Sequence, residues 1–221
     1  MGIKVIITGV TGMVGEGVLY ECLQNPEVEK VLMVNRKPFE IKHQKLSELI
    51  VKDFLNLDEV KSQLSGYDAC FFCAGISSIG LSEVEYRKIT YDVTLHFAQT
   101  LVSLNPAMVF NYVSGASTDS SENGKIMWAR VKGKTENDLL KLPFKKAYNF
   151  RPGFMYPTAG QKNMKSFYKY ILWLYPILKA LTPNSVSTLR ALALAMIHSV
   201  TAGYSKSILE VRDIKALAKI D

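Results

Sequence analysis

Apolar and polar positions divide the chain into segments that alternate between strand-like and helix-like periods. Residues 3–7 form a short apolar run that empties into Thr8-Gly9-Val10-Thr11-Gly12-Met13-Val14-Gly15. Over residues 13–24, Val14, Val18 and Cys22 recur at helical spacing, Leu19 and Leu23 widen the stripe, and Asn25-Pro26 ends it. The alternation continues with strands predicted at 30–35, 46–51, 69–75, 107–113, 146–150 and 208–211. Helices are predicted between them at 57–64, 81–103, 126–142 and 189–200. The run 69–75 is apolar throughout, as a central parallel strand covered on both faces should be. In the predicted helix 81–103, Val93, Phe97, Leu101 and the adjoining Leu104 mark the buried side.

Three glycines directly after a buried-strand pattern and directly before a helix predict a dinucleotide site. Gly9 allows the tight turn, Gly12 admits a pyrophosphate close to the backbone, and Gly15 lets the helix pack on the strand. Thr11, Met13 and Val14 belong to the same site, where first-turn N–H groups and the helix dipole attract an anion. Strands alternating with helices behind such a loop predict an α/β, doubly wound Rossmann-type parallel sheet. Helices would cover both faces, with a small C-terminal substrate-side region. The chain is read as one domain, 1–221, with 154–205 as a substrate-side or lid segment.

The ends of the predicted strands refine the site. Where an acid would hold a ribose 2′-hydroxyl, the chain reads Val34-Asn35-Arg36-Lys37, so Arg36 and Lys37 favour a 2′-phosphate and NADP(H) over NAD(H). Asp53 and Phe54 fall where an adenine ring would lie, and Ala74-Gly75-Ile76 makes a small floor under the nicotinamide-side ribose. The strand 107–113 delivers Ser114-Gly115-Ala116-Ser117 to the same edge. Ser114 and Ser117 are therefore candidates for catalysis or for orienting substrate, although serine is also ordinary turn chemistry.

Composition changes this picture in a few places. The net charge of +7 is concentrated in residues 125–179, which hold twelve Lys or Arg and two acids. That excess suits an anionic cofactor or substrate, or an unpartnered solvated face. A nucleic-acid surface would show an Arg-rich run, a motif or an aromatic-interleaved stripe, and none occurs. Three cysteines and three histidines are too scattered for a disulfide framework or a metal site, which suggests a cytoplasmic setting, as does the absence of a secretory pattern in residues 1–7. Cys70 and Cys73 would point to opposite faces of a strand and serve as core residues. His96 is expected on a helix surface or in packing. The aromatic stretch 167–181 is broken by Lys169, Pro176 and Lys179 and is too short to cross a membrane. Packing on the sheet is expected for it, with a lid, a homodimer face or an interfacial patch as alternatives.

On these residues the chain resembles the atypical short-chain dehydrogenase/reductases related to extended epimerases, most nearly the oxidoreductase family of Tat-interactive protein. The resemblance runs over nearly the whole chain. It rests on the glycine loop, Asn35-Arg36-Lys37, Asp53, Cys73-Ala74-Gly75, Asp92, Phe110-Asn111-Tyr112-Val113-Ser114, Val131-Lys132-Gly133-Lys134 and Phe150-Arg151-Pro152-Gly153. It implies an NADPH-type site in which Lys132 bonds the nicotinamide ribose and Arg151, Pro152 and Gly153 close over the ring. It also implies a Tyr acid four residues before Lys132, where this chain has Trp128. An indole N–H donates a hydrogen bond but does not deliver that proton, a loss worth ~10²–10⁴-fold in rate. Two readings follow: an NADPH-dependent reductase or epimerase-related oxidoreductase with Ser114, Ser117 or Tyr156 as proton donor, or a cofactor-dependent binding or regulatory protein. The aromatic composition of 154–187 suggests a small apolar or aromatic substrate for the first.

Overall fold

The computed structural model describes residues 2–164 and 172–219. Its strands are β1 (Ile3–Thr8), β2 (Val28–Asn35), β3 (Leu46–Ile50), β4 (Ala69–Phe72), β5 (Val109–Val113), β6 (Lys146–Arg151), β7 (Phe154–Tyr156), β8 (Val186–Thr188) and β9 (Ile208–Glu210). Seven of them pair in parallel as one sheet in the order β3-β2-β1-β4-β5-β6-β9, while β7 and β8 form a separate pair. The order reverses at β1, whose two parallel neighbours are β2 and β4. A crevice opens at such a reversal, outside the carboxyl ends of the strands.

Because successive strand residues face opposite ways, each strand feeds two cores. Val5, Ile7, Met33, Phe71 and Phe150 pack with α1 (Met13–Gln24), α6 (Leu189–Thr201) and α7 (Val211–Ala218) on one face. Ile6, Val34, Phe72 and Phe110 pack on the other, against Phe97 and Leu101 of α3 (Val93–Leu104) and Leu139 of α4 (Met127–Leu139). Fully burying one such side chain contributes roughly 1.5–3 kcal/mol. Cys70 lies in the second core, Cys73 packs against the first, and both are free thiols.

Several expectations are refined. The helix expected at 57–64 is a 3₁₀ helix, Asp58–Leu64, held down by Leu57 and Leu64. The helix expected at 81–103 begins at α2 (Glu83–Arg87) with a capping box between Ser82 and Glu85, passes through a π turn at Lys88–Asp92, and continues as α3. Strands β7 and β8, three residues each, are too short to show a period of two. The amphipathic α7 buries Val211, Ile214, Leu217 and Ala218 where only the end of a strand was expected.

The stretch 167–181 departs most. Residues 167–171 lie outside the described residues. The remainder includes α5 (Tyr175–Leu181), in which no residue is buried. It leans on β7 through Tyr175, whose ring lies 4.7 Å from Tyr156 and 6.5 Å from Phe154, instead of packing on the sheet.

Candidate functional site

The crevice is built first from backbone. Gly9 turns the chain out of β1 with φ +73°, and a Cβ there would come within 2.6 Å of Ala74 N. Thr8 Oγ1 accepts a hydrogen bond from Ala74 N–H at 3.2 Å, tying the ends of β1 and β4 together. Gly15 brings α1 against this turn so closely that a Cβ would sit 2.2 Å from Gly9 O. Gly12 differs: its missing Cβ would meet only Gly9 O, at 3.4 Å, so it leaves open space above the loop. It also offers α1 no side-chain cap. The helical ladder starts with Glu16 N–H donating to Gly12 O at 3.0 Å, so the amides of Met13, Val14 and Gly15 precede it. They and the helix dipole form an anion site.

The space in front of them is a cleft of about 370 Å³, within the ~300–1,000 Å³ range of ligand pockets. Gly9, Thr11 and Gly12 line one wall, and Ala74, Gly75 and Ile76 another. Asn35, Arg36, Lys52, Asp53 and Phe54 close the end that follows β2 and β3. Asn35 is 3% exposed; its Nδ2 donates to Glu48 Oε1 at 3.1 Å, while its buried Oδ1 has no partner among the described residues. Asp53 Oδ1 accepts from Leu55 N–H at 2.9 Å, which orders this rim. The arrangement fits a dinucleotide: an uncapped helix start, a glycine without obstruction, an unpaired buried acceptor and two cations at the rim.

Lys52, Ile89 and Val93 line the cleft without having been expected there, whereas Ile76 does so as part of the expected Ala74-Gly75-Ile76 floor. Topology was the signal for Lys52, since it follows β3 beside Asp53. Ile89 and Val93 read as ordinary helix positions; Ile89 lies in the π turn and Val93 opens α3.

The remaining predicted residues lie elsewhere. Lys37 is exposed beyond the cleft. Ser114 is 5% exposed, and its hydroxyl donates to Glu136 Oε1 at 2.5 Å. Glu136, fully buried, also accepts from Arg151 Nε at 3.0 Å and Nη2 at 2.5 Å. Arg151 reaches on to Ser120 Oγ at 2.5 Å and Glu210 Oε1 at 3.1 Å. Pro152 O accepts from Ala116 N–H at 3.1 Å, and Gly153 leads into β7, where Phe154 N–H donates to Ser185 O at 2.9 Å. The segment Arg151-Pro152-Gly153 therefore brackets β6 to the serine turn and lines no part of the cleft.

Lys132, on α4, donates from Nζ to the Ser114 carbonyl. Burial pulls its pKa down to about 8, against the opposing pull of the Glu136 charge. Trp128, half-buried, precedes it by one turn on the same helix face. Ser117 is exposed in the turn after β5 with φ +66°, a backbone conformation costly for a residue with a Cβ.

Helix α1 carries a second attachment. Fully buried Glu16 accepts from Lys162 N–H and Asn163 N–H, both at 2.8 Å, and Gln161 Nε2 donates to Met13 O at 2.6 Å. The loop at 157–163 is thereby fixed to the helix that starts the anion site.

The fold and the sequence are similar to those of known proteins. The fold is similar to that of ADP-L-glycero-D-manno-heptose-6-epimerase from Helicobacter pylori, with a TM-score of 0.68, 16% identity, and coverage of 99% of this chain and 81% of that one. It is also similar to a short-chain dehydrogenase/reductase from Saccharomyces cerevisiae, with a TM-score of 0.69, 16% identity and 99% of both chains covered. By sequence the chain is 28% identical over 149 residues to mitochondrial protein FMP52 of Debaryomyces hansenii, covering 66% of this chain and 64% of that protein. It is 26% identical over 171 residues to leucinostatins biosynthesis cluster protein T of Purpureocillium lilacinum, covering 76% of this chain and 62% of that protein. The chain thus spans somewhat under two thirds of the length of these curated relatives. They correct the expected cytoplasmic setting, because several are named as mitochondrial proteins; buried free thiols report a reducing environment, not one particular compartment. Residues 5–136, more than half of the sequence, match the model of the NAD dependent epimerase/dehydratase family, and the chain belongs to that family.

Proposed function

We propose that the chain binds NADP(H) in preference to NAD(H) and reduces a small apolar or aromatic carbonyl compound, nearest in kind to the Tat-interactive-protein oxidoreductases. The observation that carries this reading is the cationic rim of the cleft: Arg36 and Lys52 flank Asn35 and Asp53, where a 2′-phosphate would lie. The amides after Gly12 would hold the pyrophosphate, and Asp53 with Phe54 would border the adenine. Bound nicotinamide supplies the hydride. A proton must reach the substrate oxygen, and Trp128 does not deliver it. The Ser114 proton is engaged by Glu136. Lys132, with a pKa near 8, is the group at this edge able to give up a proton close to neutrality, and we assign proton delivery to it. Residues 154–205 supply the substrate side of the single unit.

Fluorescence titration tests the binding half. NADPH should bind more tightly than NADH, and Arg36→Ala should weaken NADPH by ~10–100-fold, the worth of a hydrogen bond to a charged group, while barely changing NADH. Equal affinities in wild type and a Gly12→Val variant would overturn the reading. Trp128 favours a second reading, a cofactor-dependent binding protein without turnover. Reductase activity gained by Trp128→Tyr on a carbonyl panel that wild type leaves untouched would select it.

A further inference from the structure

A second cleft lies away from the nucleotide crevice, bounded by the β7-β8 pair, α5, the start of α6 and the end of α7. It holds about 690 Å³ and shares no lining residue with the first cleft. Its size falls in the ~300–1,000 Å³ range of ligand pockets. Pro157, Ala159, Leu194 and Ala218 make part of its wall apolar. Lys179, Arg190 and Lys219 supply charge, and no acid lines it.

The charge in this cleft is unbalanced. Among the described residues, Lys179 and Lys219 enter no ion pair, and Arg190 has only a distant one with Glu21, at 4.0 Å. That carboxylate is already engaged, since Glu21 Oε1 accepts from Thr158 Oγ1 at 3.1 Å. Lys215 stands close by, with its Nζ pinned to Pro183 O at 2.7 Å. Burial, and after it the charge of Lys179, pulls the Lys215 pKa below the usual lysine range. Like charges gathered at a concave surface repel one another, and an anion placed among them relieves that repulsion.

The same cleft offers aromatic surface. Tyr156 and Tyr175 both line it, with ring centroids 4.7 Å apart and planes inclined at 49°. Tyr156 is 40% exposed, so part of its ring is free to meet a flat ligand. Rings stack on aromatic side chains, while guanidinium and ammonium groups hold phosphate.

We propose that this second cleft binds an aromatic organic phosphate, with the ring against Tyr156 and the phosphate among Lys179, Arg190 and Lys219. A phosphate monoester carries roughly two negative charges at neutral pH, so it offsets more of the cationic cluster than a carboxylate would. The inference is independent of the cofactor assignment, because the two clefts have no residue in common and the test uses no nucleotide.

The experiment is titration of the ¹⁵N-labelled chain with 1-naphthyl phosphate at low salt, with the shifted amides located by nuclear magnetic resonance. Saturable shifts should appear at residues 156–159, 188–194 and 218–219, and none at 9–12, 35–36 or 72–76. Raising the salt should weaken binding. Lys179→Gln with Lys219→Gln should weaken it about tenfold, and Tyr156→Leu should weaken it about tenfold through lost stacking. 1-Naphthol, which lacks the phosphate, and inorganic phosphate, which lacks the ring, should each bind more weakly than the combined molecule. All three substituted positions are exposed, and unchanged circular dichroism would verify that the variants fold. Absence of saturable shifts at millimolar 1-naphthyl phosphate, or shifts confined to the nucleotide crevice, overturns the proposal. So does equal affinity of wild type and the double lysine variant, or binding of 1-naphthol as tight as that of its phosphate.

Discussion

Along one edge of the sheet, the ends of β1 to β4 and the ends of β5 and β6 use polar groups in opposite ways. The first region leaves its surface open: amides ahead of the α1 ladder, an Asn35 side-chain Oδ1 with no partner among the described residues, and a glycine whose Cβ would meet only a carbonyl oxygen at contact distance. At the strand ends of the second region Ser114, Glu136, Arg151, Ser120 and Glu210 are joined in a continuous chain of hydrogen bonds, while deeper in β5 and β6 the Oδ1 atoms of Asn111 and Asn149 have no partner among the described residues. Groups left open are available to a ligand. Groups closed on each other hold a shape. Lys132 stands between the two, because its Nζ is anchored to the Ser114 carbonyl while burial leaves its proton loosely held.

The sharpest way to break the contrast is to open the closed region. Glu136→Gln leaves the Arg151 guanidinium, 11% exposed, without its buried counter-charge, and should cost about 3–5 kcal/mol in urea unfolding. Arg36→Ala acts on the open region, so its ~10–100-fold loss of NADPH affinity should come with less than ~0.5 kcal/mol of stability. A variant that instead lost several kcal/mol would show that the rim is structural.

Lys132 gives an intermediate effect with a definite sign. Its folded pKa of about 8 lies below the ordinary 10.5, so between those values the unfolded chain binds more protons than the folded one. Stability should therefore rise with pH across that window, by at most ~1.4 kcal/mol per pH unit, and the destabilisation should be fully present below it. Lys132→Met should flatten the rise in melting temperature over the same range. If Lys132 delivers the proton, wild-type reductase activity should also fall as pH passes about 8. The smallest effect is expected at Ser117, where φ is +66°. Ser117→Gly should stabilise the fold by up to ~1 kcal/mol with no change in NADPH binding.

The sequence discloses the open region better than the closed one, for a physical reason. Gly9, Gly12 and Gly15 encode backbone shape within a span of seven residues, and Arg36 follows from its place at a strand end, so local spacing is sufficient. Lys52 is a single cation before Asp53 with no period to mark it. Glu136 and Arg151 are fifteen positions apart and meet only because β5 and β6 pair and α4 crosses behind them. Apolar composition misled at α5, since it distinguishes apolar from polar but not inward from outward. The family resemblance located Lys132 and Trp128 as a pair, but the lowered pKa of Lys132 depends on burial that no spacing reveals.

Glu16 ties the loop at 157–163 to the helix that starts the anion site. Its carboxylate, in the first turn of α1, accepts from the Lys162 and Asn163 amides, so opening of that loop should be coupled to loosening of the turn. A ligand that steadies the turn should lengthen the interval between openings. Deuterium uptake at these two amides would then report occupancy of a site to which neither residue belongs.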